Sequence, residues 1–78
     1  MLFVKYFGAV AEKTKVQGEN IPFSNLSLQE LVDELEQKYD LASLIYSIAV
    51  NQKLVQDKNS YMLMSNDVVA LLPPFAGG

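Results

Sequence analysis

The residues that could do chemistry close the chain: Leu71-Leu72-Pro73-Pro74-Phe75-Ala76-Gly77-Gly78, an apolar run that stops at two prolines and ends on two glycines. Proline has no N–H and fixes φ, so Pro73 and Pro74 end a strand and set the last four residues on an extended, polyproline-like path. From Pro74 to Gly78 such an arm reaches roughly 16 Å at about 3.3 Å per residue, far enough to enter a pocket on another protein. Gly77 and Gly78 carry no Cβ, so an enzyme can close on the backbone and still reach the α-carboxylate of Gly78. With a pKa of about 3.3 to 3.7 that group is ionised at neutral pH and is an available oxygen nucleophile. Gly-Gly is a short motif, however, and frayed termini also end in small residues without a role.

Little else in the chain competes. Histidine and cysteine are both absent, which removes the commonest general base, a thiolate nucleophile, a thiolate metal site and a disulfide framework. There is no phosphate loop and no nucleophile elbow, so a free-standing enzyme is the weakest reading. Met62 and Met64 read as packing residues and not as ligands. The six basic residues are all lysines against nine carboxylates, a net charge of −3; with no arginine fork for phosphate or base edges, nucleic acid is not expected as a direct partner. No apolar run approaches the ~18 residues that span a bilayer. Met1-Leu2-Phe3-Val4-Lys5 becomes charged too early for a signal peptide. A soluble, cytoplasmic protein is expected, with one core-bearing domain over 1–74 and a flexible Gly-Gly tail over 75–78.

The elements that must hold this tail can be read from periodicity. Leu2 to Phe7 reads as a strand with Leu2, Val4 and Tyr6 on one face and Phe3, Lys5 and Phe7 on the other. Gly8 breaks it, Ala9 to Lys13 connects with at most a helical turn, and a weaker strand over Thr14 to Glu19 completes a hairpin. Ser27-Leu28-Gln29-Glu30 is a capping box, with Leu26 and Leu31 at the staple positions. Leu28, Leu31, Val32, Leu35 and Tyr39 then repeat at helical spacing, with Glu30, Asp33, Glu34, Glu36 and Gln37 outward, to an end near Tyr39 or Asp40. Ser47 to Val50 turns through Asn51-Gln52 into Lys53-Leu54-Val55, a short hairpin. Gln56 to Asn66 is expected to tuck its apolar members under a loop or single helical turn. Val68 to Leu72 suits a central strand covered on both faces.

A hairpin, a long crossing helix and a final buried strand predict an α+β roll, the ubiquitin-like β-grasp, with a mixed sheet on one main helix and its first and last strands adjacent at the centre. Phe7 and Leu72 then share the sheet face away from the helix, and Leu54 can join them. An exposed apolar cluster beside the tail exit suits a partner interface; isolated surface residues, or a cover from Tyr61 to Met64, are the alternatives.

Ala49-Val50-Asn51-Gln52, Leu54-Val55 and Asp67-Val68-Val69-Ala70-Leu71-Leu72-Pro73-Pro74-Phe75-Ala76-Gly77-Gly78 closely resemble the small, sulfur-carrier subunit of molybdopterin synthase, the MoaD type. The similarity runs the whole length, and its specificity lies in the last thirty residues or so, where Pro-Pro, a hydrophobic residue, a small residue and Gly-Gly come after a strand. The resemblance implies that Gly78 is the site of adenylation by an ATP-using activating enzyme and of conversion to a thiocarboxylate by a sulfur donor. It implies delivery of that sulfur, inside the large catalytic subunit, to cyclic pyranopterin monophosphate, with two carriers needed per pterin and a heterotetramer expected. No cofactor would be bound by the chain itself; ATP is consumed by the activating enzyme. Phe7, Leu54 and Leu72 would match contacts with the large subunit, Pro73 and Pro74 the start of the arm, and Phe75, Ala76, Gly77 and Gly78 the part that threads into its active site. Ala11 stands where many members carry an arginine, and Ser65-Asn66 where Asp-Gly is more usual. Related carriers for thiamine or tRNA thiolation, and a ubiquitin-like protein modifier, share the Gly-Gly end and remain alternatives.

Overall fold

A computed structural model describes residues 1–74, and the first strand in it, β1 (Leu2–Tyr6), already shows the alternation of the sequence: Leu2, Val4 and Tyr6 are buried and Lys5 is exposed. Past Tyr6 the chain departs from expectation. Gly8, at φ 57°, opens a two-turn helix α1 (Gly8–Thr14) that buries Val10 and Thr14 and ends at a left-handed Lys15. The Thr14 hydroxyl donates to the Val16 carbonyl at 2.9 Å and accepts from its N–H, so Thr14 closes a turn and does not begin a strand. The second strand therefore starts later than predicted, as β2 (Gly18–Ile21), antiparallel to β1 with Leu2 opposite Ile21 and Lys5 opposite Gly18.

The main helix α2 (Leu28–Tyr39) begins where its capping box places it. Ser27 Oγ accepts from the Glu30 N–H at 3.1 Å, the Glu30 carboxylate accepts from the Ser27 N–H at 3.0 Å, and a left-handed Asp40 stops the helix. Leu28, Leu31, Val32 and Leu35 form its buried stripe. Glu36, expected to face outward, is half-buried and accepts a hydrogen bond from Tyr46 Oη.

Leu41 and the partly buried Leu44 lead into β3 (Ser47–Val50). Asn51 and Gln52 both adopt positive φ, 52° and 71°, the pairing that matches a two-residue turn to the twist of its strands. The turn leads into β4 (Lys53–Leu54). The loop after β4 buries Leu63 and half-buries Tyr61, and its backbone is stitched to the start of α2 by bonds from Leu28 N–H to Tyr61 O and from Leu63 N–H to Leu26 O. Met62 and Met64 are instead 59% and 70% exposed, because alternation through this extended segment turns Leu63 inward and its neighbours out; they are not packing residues.

The last strand, β5 (Val68–Leu72), lies between β1, to which it runs parallel, and β3, to which it runs antiparallel, giving the order β2-β1-β5-β3-β4. First and last strands are thus adjacent at the sheet centre, as the β-grasp topology requires. Val69 and Leu71 join the core, whereas Val68, Ala70 and Leu72 are only partly buried on the opposite face. The expectation that both faces of this strand are covered fails, since no described element lies over that second face. Among the described residues, no helix is long and apolar enough to cross a membrane.

Candidate docking face and tail root

Strand pairing assembles the uncovered face. Lys5 and Phe3 of β1 stand beside Ala70 and Val68 of β5, and Ala49 of β3 stands between Ala70 and Leu54 of β4. Phe7 continues β1 by one residue, its N–H donating to Leu71 O at 3.1 Å, which brings its ring alongside Leu72. Phe7, Leu54 and Leu72 line a single depression, and Phe7 and Leu54 remain 44% and 51% exposed. The structure brings these three together; they are neither scattered nor covered by the segment from Tyr61 to Met64.

The arm leaves from the same end of the sheet. Pro73 and Pro74 come directly after β5 and are exposed. A Cβ built on Gly8 would stand 2.9 Å from Pro73 Cγ, so the turn after β1 packs on the first proline and sets the exit direction. Pro74 borders a second groove with Ile45, Tyr46 and Leu54, and Ile45 is 81% exposed. Neither Gly8 as the support of Pro73 nor Ile45 beside Pro74 was singled out in the sequence; both contacts join segments far apart in the chain. Phe75, Ala76, Gly77 and Gly78 lie outside the described residues.

Two polar clusters brace the sheet, the first at the end of β5 opposite the prolines. Asn51 Nδ2 donates to Asp67 Oδ1 at 2.9 Å, Asn51 Oδ1 accepts from the Val68 N–H at 3.0 Å, and Asp67 Oδ2 accepts from the Met64 N–H at 2.8 Å, tying the β3–β4 turn to the start of β5. Asn66 takes φ 73° in the turn before β5, a left-handed conformation that asparagine tolerates better than most residues, so the Ser65-Asn66 departure leaves the turn intact. Ala11 packs against the core. On the helix side of the sheet, Tyr6 and Tyr39 both donate to Glu19 Oε2 while Lys38 Nζ lies 2.9 Å from Oε1. Burial opposes the charged form of Glu19, but the hydrogen bonds from Tyr39, Tyr6 and Lys38 outweigh it and hold the carboxyl below its usual range. Burial first, then the Glu19 contact, drives the Tyr6 hydroxyl well above the ordinary phenol range. These groups brace β2 against α2.

Among the described residues, the face beside Pro73 is thus apolar apart from Lys5 and Gln52. The model of the ThiS family matches residues 4–78. The chain belongs to the ThiS family. A chain from the complex of subunits 1 and 2 of the molybdopterin-converting factor of Helicobacter pylori 26695 is 32% identical, with a TM-score of 0.71 over 99% of this chain and 97% of that one. A Pyrococcus furiosus protein assigned as subunit 1 of a molybdopterin converting factor is 23% identical, with a TM-score of 0.83 over 95% of this chain and 97% of its own. Small archaeal modifier protein 1 from H. volcanii is 17% identical, with a TM-score of 0.78 over 95% and 97%. The last two likenesses concern the fold. This ThiS family member thus has the ubiquitin-like β-grasp of the sulfur carriers.

Proposed function

We propose that the chain is the sulfur-carrier subunit of a molybdopterin synthase, working in the cytoplasm in a heterotetramer with a large catalytic subunit. The observation that carries this reading is the gathering of Phe7, Leu54 and Leu72 on one uncovered face at the end of β5, where Pro73 and Pro74 leave the sheet. A carrier needs a rigid base, a surface for its partner, and an arm that reaches the partner's active site from that surface. The 32% identity with a chain of the Helicobacter subunit 1 and 2 complex supports a large-subunit partner, whereas the modifier protein shares the fold at 17% identity.

The chemistry asked of the arm is simple. A Gly78 carboxylate oxygen attacks the α-phosphorus of ATP on the activating enzyme, and pyrophosphate leaves. The acyl-adenylate then has AMP as a good leaving group where the free carboxylate would have to expel an oxide ion. A persulfide sulfur from the donor attacks the carbonyl carbon, AMP departs, and reductive cleavage of the sulfur–sulfur bond by a thiol leaves the thiocarboxylate. A chain without cysteine can carry sulfur in this way, because the sulfur resides on its main-chain end.

Intact-mass measurement after incubation with ATP, a sulfur donor and the activating enzyme should show one oxygen replaced by sulfur. Adding the large subunit and cyclic pyranopterin monophosphate should then return the original mass and yield the dithiolene. A thiocarboxylate that forms but is not discharged to the pterin would assign the chain to another thiolation pathway, and isopeptide bonds to lysines would make it a modifier.

A further inference from the structure

One row of residues runs in register across all five strands: Gly18 of β2, Lys5 of β1, Ala70 of β5, Ala49 of β3 and Leu54 of β4. Residues paired directly across a sheet share a face, so this row crosses the docking face from edge to edge. Its centre is two alanines, and Ala49 is only 5% exposed although no described element covers it. Larger residues stand on either side, Phe7 and Leu72 toward the arm and Val68 away from it. The alanines are therefore the floor of a depression of about 330 Å3, roomier than the roughly 150 Å3 that a benzene-sized group fills and so able to take one or two large apolar side chains. Among the described residues its polar members are Lys5 and Gln52, with no carboxylate in its lining.

Lys5 adds a condition on what fills this space. The ion pairs among the described residues are Lys13 with Asp40 and Lys38 with Glu19, and neither involves Lys5. A partner lying over the alanines strips water from an ammonium group at their rim, which is costly unless that partner supplies an opposite charge. The chain as a whole, at a net charge of −3, would repel an acidic partner, so any attraction to a carboxylate is local to this spot. We infer that the depression over Ala49 and Ala70 is a socket for large apolar side-chain groups of the synthase's large subunit, and that a carboxylate of that subunit beside them pairs with Lys5. This rests on the function proposed above and adds to it the chemistry of the partner's surface.

Titration calorimetry of the full chain against the large subunit from the same source tests it, with Ala70→Leu to fill the socket and Lys5→Glu to reverse the charge. Ala70→Leu should weaken binding about tenfold or more, which corresponds to ~1.4 kcal/mol per tenfold, while its unfolding midpoint stays near that of the unaltered chain. Lys5→Glu should weaken binding strongly at low salt and much less at high salt, because screening shortens the reach of the charge. Unchanged affinity of Ala70→Leu overturns the socket even if that variant is perturbed in stability, and unchanged affinity of the exposed Lys5→Glu overturns the ion pair. A self-associated form that Ala70→Leu dissolves would make the occupant a second copy and overturn the proposal as well. If the unaltered chain itself fails to bind the large subunit, the proposed function falls and takes the inference with it; if it binds and only the variants are silent, the inference alone falls.

Discussion

Gly8 does two things that a residue with a side chain would do there only at a cost. Its φ of 57° is a conformation that costs an L-residue about 1–2 kcal/mol, and its missing side chain leaves room for the ring of Pro73. Gly8→Ala should therefore lower stability by about that amount in chemical denaturation, and should also displace the start of the arm, so that sulfur delivery falls more than the stability loss accounts for. Delivery that stays normal in the folded fraction would show that the exit direction is unimportant. Phe7 is the complementary case. At 44% exposure it contributes little to the core, so Phe7→Asp should leave the unfolding midpoint nearly unchanged. The same change should weaken binding to the large subunit by about 2 kcal/mol, as truncation of an interface anchor does; unchanged affinity in calorimetry would remove it from the interface. Its place was legible because strand parity needs no knowledge of the fold: Phe7 is odd where Leu2, Val4 and Tyr6 are even. The alanine floor was not legible, since it depends on the mutual register of strands drawn from both ends of the chain.

Among the elements, α2 contributes four buried residues, Leu28, Leu31, Val32 and Leu35, to the core. Leu31→Ala should destabilise by about 2–5 kcal/mol, because Leu31 is fully buried and its truncation removes apolar contacts from the core. Ser27→Ala should cost about 1 kcal/mol through loss of the cap; both are read by denaturant titration. This helix was legible from end to end because a capping box and a 3.6-residue repeat are local signals. The segment between β1 and β2 was not, because Thr14 and Val16 suit a strand by type while the Thr14 hydroxyl is spent on a turn. The Glu19 cluster, which joins β1, β2 and α2, was also hidden, since its members come from three segments. It gives a pH signature. Glu19 is held below its ordinary value of 4.5, so its contribution to stability is complete above about that pH and is lost as pH falls through the folded value. Tyr6 is raised from 10.0, so its contribution is complete below that pH and is lost as the solution becomes more alkaline. Glu19→Gln should flatten the acid limb of a plot of unfolding free energy against pH, and an unchanged limb would place the acid sensitivity elsewhere.

For the molecule as a whole, scaffold and working group should separate. Removing Gly78, or adding one residue after it, should abolish sulfur transfer in the intact-mass assay while thermal unfolding stays nearly where it was; a large drop in the midpoint would mean that the end of the chain is structural. That independence has a mechanical side. The arm continues from β5, and β5 is hydrogen-bonded along both edges, to β1 on one side and β3 on the other. An enzyme that tugs on the arm pulls along the strand axis, which loads both rows of bonds at once in shear and cannot peel them open one by one. A tether rooted at an outer strand would unzip under the same tension, so for the carrier proposed above the central placement would let the arm be gripped, processed and withdrawn repeatedly without unravelling what it is attached to.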